Sequence, residues 1–229
     1  MLFPCISSLL SGFTDYHSHI LPGVDDGVKK MEVSLKVLEQ YEHLGIAEVW
    51  CTPHIMEDIP NTTEGLKERF AELCEAYKGP IKLHLAAEYM MDGLFQERLE
   101  KKDVLVLGEE GNMLLVETSY FTPPMDMDNL LQRIKQKGYY PVLAHPERYV
   151  YMDNEKYKGL KNNNIRFQLN LSSLGGAYGS EAKAKALWLL KQKNYDYAGS
   201  DLHSLRNIEF WSCRAPRAIR ELIKKNKIQ

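Results

Sequence analysis

The sequence predicts an α/β fold in a single domain, with a parallel sheet closed or nearly closed into a barrel. Three observations carry that expectation. Short apolar runs alternate with amphipathic segments seven times along the 229 residues, and such alternation builds parallel sheets. No Pro/Gly/Ser-rich linker, internal repeat or low-complexity tract divides the chain. The histidines and carboxylates fall mainly at the C-terminal ends of the expected strands, and a closed parallel sheet brings all those ends to one face.

Taken in order, the first strand is expected over 13–17 and ends in DYHSH. A helix follows, with Met31, Leu35, Leu38, Tyr41 and Leu44 on one face and Gly45 as its C-cap. Further strands are expected over 46–51, 81–88, 113–117, 139–145, 165–170 and 195–201. Helices are expected over 63–77, 93–101, 126–137, 154–162, 180–193 and 215–225. Residues 1–12 are apolar but lack a basic n-region and are too short to span a bilayer. They are expected to form a loosely ordered leader to a domain over 13–229, and no other stretch is a membrane-span candidate.

The bulk chemistry narrows the function classes. With 29 basic and 31 acidic residues the formal net charge is −2, which argues against nucleic-acid binding and against a basic membrane face. A hydrophobic content of 44% is ordinary for a soluble domain. The cysteines Cys5, Cys51, Cys74 and Cys213 are scattered and form no CxxC pair, which reads as buried thiols in a reducing cytosol. Cys51, Cys74 and Cys213 are followed six residues later by Glu57, Pro80 and Ile219, so the CxxxxxR loop of thiol phosphatases is absent. Thiol alkylation should therefore leave most activity.

Five of the seven histidines, His17, His19, His54, His145 and His203, lie at or just past a strand end. Glu88, Glu117 and Asp201 end strands of their own, and Asp26 lies in the loop after the first. Residues i and i+2 of a strand point the same way, so His17 with His19, and Asp201 with His203, each form a two-point grip on one ion. Nine candidate ligands exceed the four to six of one divalent ion, so two or three ions with bridging carboxylates fit better. Nitrogen and oxygen donors without thiolate suit manganese, iron or zinc. Several divalent ions outweigh these carboxylates, so the site favours an anionic substrate, and clustered metals serve phosphate ester hydrolysis. Arg148, three residues past His145, is placed to bind phosphate. His43 and His84 are set aside, Asp15 and Asp25 are candidates to orient an imidazole, and Tyr120 or Tyr149 to line the pocket, with 121–124 shaping its rim.

The segments DYHSHILPGVDDG, TPH, AAE, LLVE, AHPERY and SDLH occur in this order over nearly the whole chain. Together they resemble the polymerase-and-histidinol-phosphatase (PHP) superfamily, and within it the bacterial CpsB/CapC-like protein-tyrosine phosphatases of capsular and exopolysaccharide loci. The resemblance implies a distorted seven-stranded (β/α) TIM-like barrel holding three metals, usually with manganese-dependent activity; magnesium is a further option. It implies the ligands His17, His19, Asp26, His54, Glu88, Glu117, His145, Asp201 and His203, and selects Asp26 over Asp25. It gives catalytic roles to Arg148, Asp201 and His203, and phosphate binding to Arg148. Some relatives carry a second arginine in a GRPP-like stretch after the DxH motif; here Arg206 stands nearby, in a shifted position. The protein itself is expected in the cytoplasm, and the implied substrate is the phosphotyrosine tail of a tyrosine kinase that regulates polysaccharide polymerisation and export. The alternative on the same scaffold is a small-molecule phosphatase of the histidinol-phosphatase type.

Overall fold

The computed structural model describes residues 10–108, 110–211 and 217–226. Most of the expected leader, and Cys5 and Cys213, lie outside the described residues; Leu10, at its end, is buried.

The expected α/β alternation is present. Among the described residues nine strands run in parallel: β1 Thr14–Ser18, β2 Glu48–Cys51, β3 His54–Ile55, β4 Lys82–Leu85, β5 Glu88–Met90, β6 Met113–Glu117, β7 Tyr140–Ala144, β8 Arg166–Asn170 and β9 Tyr197–Gly199. They form a three-stranded sheet, β1-β2-β4, and a six-stranded sheet, β3-β5-β6-β7-β8-β9. Seven strands were expected, because 46–51 and 81–88 read as continuous apolar runs. Each continues past a break. Pro53 lacks the N–H that a ladder needs, and the chain resumes as β3 after Thr52-Pro53. The neighbouring strand breaks opposite, at Ala86-Ala87, between β4 and β5. Backbone hydrogen bonds still cross the break, from Ala86 N–H to Cys51 O at 2.9 Å and from Glu88 N–H to Pro53 O at 3.1 Å.

The outer strands of the two sheets also meet. Ser18 forms a parallel bridge with Leu202. Asp201 N–H donates to His17 O at 2.8 Å, and His19 N–H donates to Leu202 O at 3.0 Å. Gly199 permits this approach: a Cβ there would lie 2.5 Å from His17 Cβ and 2.8 Å from Gln168 Nε2.

Helices pack between and outside the strands: α1 Met31–Leu44, α2 Thr63–Ala76, α3 Gly93–Lys101, α4 Met127–Gln136, α5 Asn154–Asn162, α6 Leu171–Gly175, α7 Gly179–Lys191 and α8 Arg217–Asn226. Their starts follow the sequence. Thr62, Asp92 and Asp153 cap α2, α3 and α5 by accepting from Gly65, Phe95 and Lys156 N–H. Gly45 ends α1 in the left-handed region, as its position predicts. Helix faces such as Leu38, Tyr41 and Leu44 join Val49, Leu114, Leu143 and Phe167 in the main core. A smaller cluster, with Tyr16, Trp50, Leu115, Val142 and Tyr197, holds the sheets together from their other face. No described helix is long and apolar enough to cross a membrane.

A candidate metal centre at the strand ends

All nine residues singled out in the sequence converge. His17 stands on β1 and His19 just past it, His54 begins β3, Glu88 begins β5 and Glu117 ends β6. His145 follows β7, and Asp201 and His203 follow β9. The pairing of β1 with β2 shifts register between Asp15 and Ser18, and such irregularities re-aim side chains; here the shift falls at His17. Asp26 is the exposed member, its side chain 65% accessible, while His17, His19 and Glu88 are fully buried.

Potential ligand atoms gather into three groups, each within 4.8 Å: His19, Asp26, His54 and His203; His17, His19, Glu88 and Asp201; and His54, Glu88 and Glu117. Glu88 is central. Its Oε2 lies 3.1 Å from His17 Nε2, 3.3 Å from His19 Nε2 and 3.1 Å from His54 Nδ1. Its Oε1 lies 3.0 Å from His145 Nε2. Asp201 Oδ1 faces His17, His19 and His203 at 3.4–3.5 Å.

The second layer fixes which nitrogens are free. His145 N–H and Gln168's own Nε2, which donates to Leu169 O, together set the amide so that Oε1 meets His17 Nδ1 at 2.9 Å. An amide oxygen only accepts, so Nδ1 of His17 carries the proton. Asp25 Oδ2 accepts from His19 Nδ1 at 2.8 Å in the same way. Nε2 is then the position left on each ring for a metal ion or a second proton; the two lie 3.0 Å apart and face the carboxylates of Glu88 and Asp201. Two imidazole nitrogens at that distance among buried acids call for a cation, whether bound protons or a metal ion. Buried Glu88 Oε2 and His54 Nδ1 make no hydrogen bond despite their proximity, and His145 Nδ1 makes none either. The donor set thus fits divalent ions of intermediate character.

Electrostatics agree. Burial disfavours charge on His17, but Glu88 and Asp201 outweigh it and lift the imidazole to about 9. Burial raises the carboxyls of Glu88 and Asp201, yet the surrounding imidazoles, His17 foremost, hold both well below the usual range. The pocket draws positive charge to itself.

Two of the candidate positions hold strained backbone. His145 (φ 32°) and Asp201 (φ 50°) are in the left-handed region, which a non-glycine residue seldom occupies. Gly27 lets the loop fold back on His19, since a Cβ would lie 2.3 Å from His19 O.

Arg148 ends the 3-10 turn Pro146–Arg148 and gives Asp201 Oδ2 a 2.6 Å hydrogen bond. Its guanidinium lies 4.3 Å from the Tyr120 ring and 3.9 Å from the Tyr178 ring. Glu147 is not its partner: it is buried, where its Oε1 accepts from Asn170 N–H and its Oε2 from the Tyr195 hydroxyl. Arg206 is exposed on the 3-10 segment Leu205–Phe210, whose Asn207 Oδ1 accepts from His203 N–H.

Of the residues set aside, His43 is exposed on α1, with Nδ1 2.7 Å from Glu39 O, and His84 pairs with Glu48 and stacks on Trp50; both lie outside the three groups. Asp15 binds no imidazole and accepts instead from Tyr41 OH and Ser200 N–H. Tyr149 is buried with its hydroxyl donating to Ala144 O, whereas Tyr120 meets Arg148. Sequence reasoning missed Gln168 and Tyr178. Asn170 donates to Asp201 Oδ2 at 2.6 Å. The strict alternation of Arg166, Gln168 and Asn170 with Phe167 and Leu169, which puts polar side chains on one face of a core strand, is the signal that was there to find.

A family model for capsular polysaccharide synthesis, CpsB/CapC, matches residues 13–225. The chain is 28% identical to tyrosine-protein phosphatase YwqE of Bacillus subtilis over 202 residues, covering 86% of this chain and 79% of that protein. It is 29% identical to tyrosine-protein phosphatase CpsB of Streptococcus agalactiae over 210 residues, covering 83% of each. Its fold superposes with a TM-score of 0.79, at 23% identity and over 93% of the chain and 92% of the other, on crystal structures described as YwqE of Bacillus subtilis and CpsB of Streptococcus pneumoniae, unique metal-dependent tyrosine phosphatases.

Proposed function

The chain belongs to the CpsB/CapC family of capsular polysaccharide synthesis, and we propose that it is a metal-dependent tyrosine-protein phosphatase. The observation that carries this reading is the paired His17 and His19 Nε2 atoms, bared by Gln168 and Asp25 and aimed at Glu88 and Asp201. The nine converged side chains are its ligands, and they hold two to three divalent ions. Manganese fits first, with iron, zinc or magnesium as alternatives. The two parallel sheets then read as arcs of one distorted seven-stranded barrel, closed where Ser18 meets Leu202, within a single domain over 13–229.

When bound, the ions supply Lewis acidity and an activated water. The chain's own groups do the rest. Glu88 keeps four imidazoles in one register. Asp201 turns Oδ1 to the imidazoles and Oδ2 to Arg148, coupling the ligand set to the phosphate-binding side chain. Arg148 matches a phosphoryl group with its planar donors, and Arg206, exposed on the 3-10 segment that follows His203, is available to the rest of the substrate. The loop that carries Tyr120 continues into Phe121 and Met125, both strongly exposed, which favours a polypeptide over a small metabolite. The substrate is the phosphotyrosine tail of a tyrosine kinase of polysaccharide export, met in the cytoplasm.

Metal analysis combined with turnover of a phosphotyrosine peptide, 4-nitrophenyl phosphate and histidinol phosphate tests the reading. Activity should follow added manganese, vanish on chelation and favour the peptide. Full activity after exhaustive chelation would sink it, and preference for histidinol phosphate would replace it by the small-molecule alternative.

A further inference from the structure

We propose that Tyr120 and Tyr178 are positioning residues that clamp Arg148 between their rings, holding one guanidinium edge on Asp201 and offering the other to phosphate. The proposal rests on the phosphatase reading above and names residues that no sequence motif contains.

The geometry is that of a flat ion with both faces covered. The guanidinium carbon lies 4.3 Å from one ring centroid and 3.9 Å from the other. The rings come from separate parts of the chain, Tyr120 after β6 and Tyr178 just before α7. With its faces covered, the cation can donate only in its own plane. One in-plane donor is spent on Asp201 Oδ2 at 2.6 Å, and among the described residues Arg148 has no other hydrogen-bond acceptor. Its side chain keeps 14% exposure, so the remaining edge is reachable. Tyr178 is fixed in turn: its hydroxyl lies 3.3 Å from Asp201 Oδ2 and 3.2 Å from Asn170 Nδ2. An arginine otherwise pays heavily in rotamer freedom on binding an anion; the clamp removes that cost in advance.

A double-mutant cycle on the metal-loaded protein tests this, read by binding of inorganic phosphate in calorimetry and by hydrolysis of 4-nitrophenyl phosphate. Tyr178→Leu should weaken phosphate binding and raise KM, each about tenfold, with kcat within about threefold, the pattern of lost uniform binding. Tyr178→Phe, which keeps the ring, should recover most of the affinity. Tyr120→Leu should repeat the effect from the opposite face. In an Arg148→Ala background Tyr178→Leu should add nothing, because it acts through the missing side chain. Additive losses in that background, unchanged phosphate affinity, or no phosphate binding by the parent protein would overturn the clamp. Clamp-dependent phosphate binding without hydrolysis would instead uphold the clamp and refute the phosphatase reading.

Discussion

Gln168 holds no charge, yet it decides which nitrogen of His17 is free. Its amide is fixed by two other hydrogen bonds and so can only accept from Nδ1. Gln168→Leu removes that acceptor and frees the ring to flip or change tautomer. Loss of such an outer partner costs about 10–100-fold in metal affinity or activity, so metal stoichiometry and kcat/KM should fall together by that order while the far-ultraviolet spectrum is retained. Unchanged metal content would refute the tautomer argument. The adjacent aspartates show what sequence can and cannot tell at this scale. Asp25 was a candidate to orient an imidazole, and it accepts from His19. Asp26 faces His54 and His203 at 3.5 and 3.4 Å. The residues alone gave both an acidic loop position; only the turn at Gly27 decides which carboxylate is buried and which looks across the pocket.

Elements deliver these side chains, and strand β9 does so under the tightest constraint. Gly199 lies against His17 of β1 with no room for a Cβ. Gly199→Ala must push the two strands apart or displace His17. Overpacking of this kind costs about 1–3 kcal/mol, which for a chain of this size lowers Tm by roughly 2–12 °C. Metal content should drop as well, because the shift starts at a proposed ligand. A melting curve and a metal assay on the same sample check both, and an unaltered Tm would show that the strands have slack. The resumption as β3 was not legible because Thr52-Pro53 ends the apolar run, and the break at Ala86-Ala87 was not legible because hydrophobicity continues through it; periodicity reports burial, and a ladder can bend without losing it. The strand ends themselves were legible because polar residues interrupt apolar runs there. His145 and Asp201 could not be recognised as left-handed from their residue types, since neither is a glycine.

For the molecule as a whole, ions that bind only the folded chain stabilise it. At a hundredfold excess over the dissociation constant the gain is about 2.7 kcal/mol per site. Chelation should therefore lower Tm by several degrees as it abolishes turnover, and re-addition of manganese should restore both. Alkylation should not imitate this: Cys74 is exposed and reacts, while burial pushes the Cys51 thiol up and leaves it inert. A Tm indifferent to chelator would mean that the cluster is held by proton bridges alone. His19, Glu88 and His54 each belong to two of the three ligand groups. Occupancy is then not a matter of independent vacancies. On the proposed reading of two to three ions, whichever enters first would settle side chains that its neighbours also need, and the centre would fill cooperatively. Native mass spectrometry during a manganese titration should accordingly find molecules that are empty beside molecules that are complete, with few intermediates, and Glu88→Ala should empty the centre rather than subtract one ion from it.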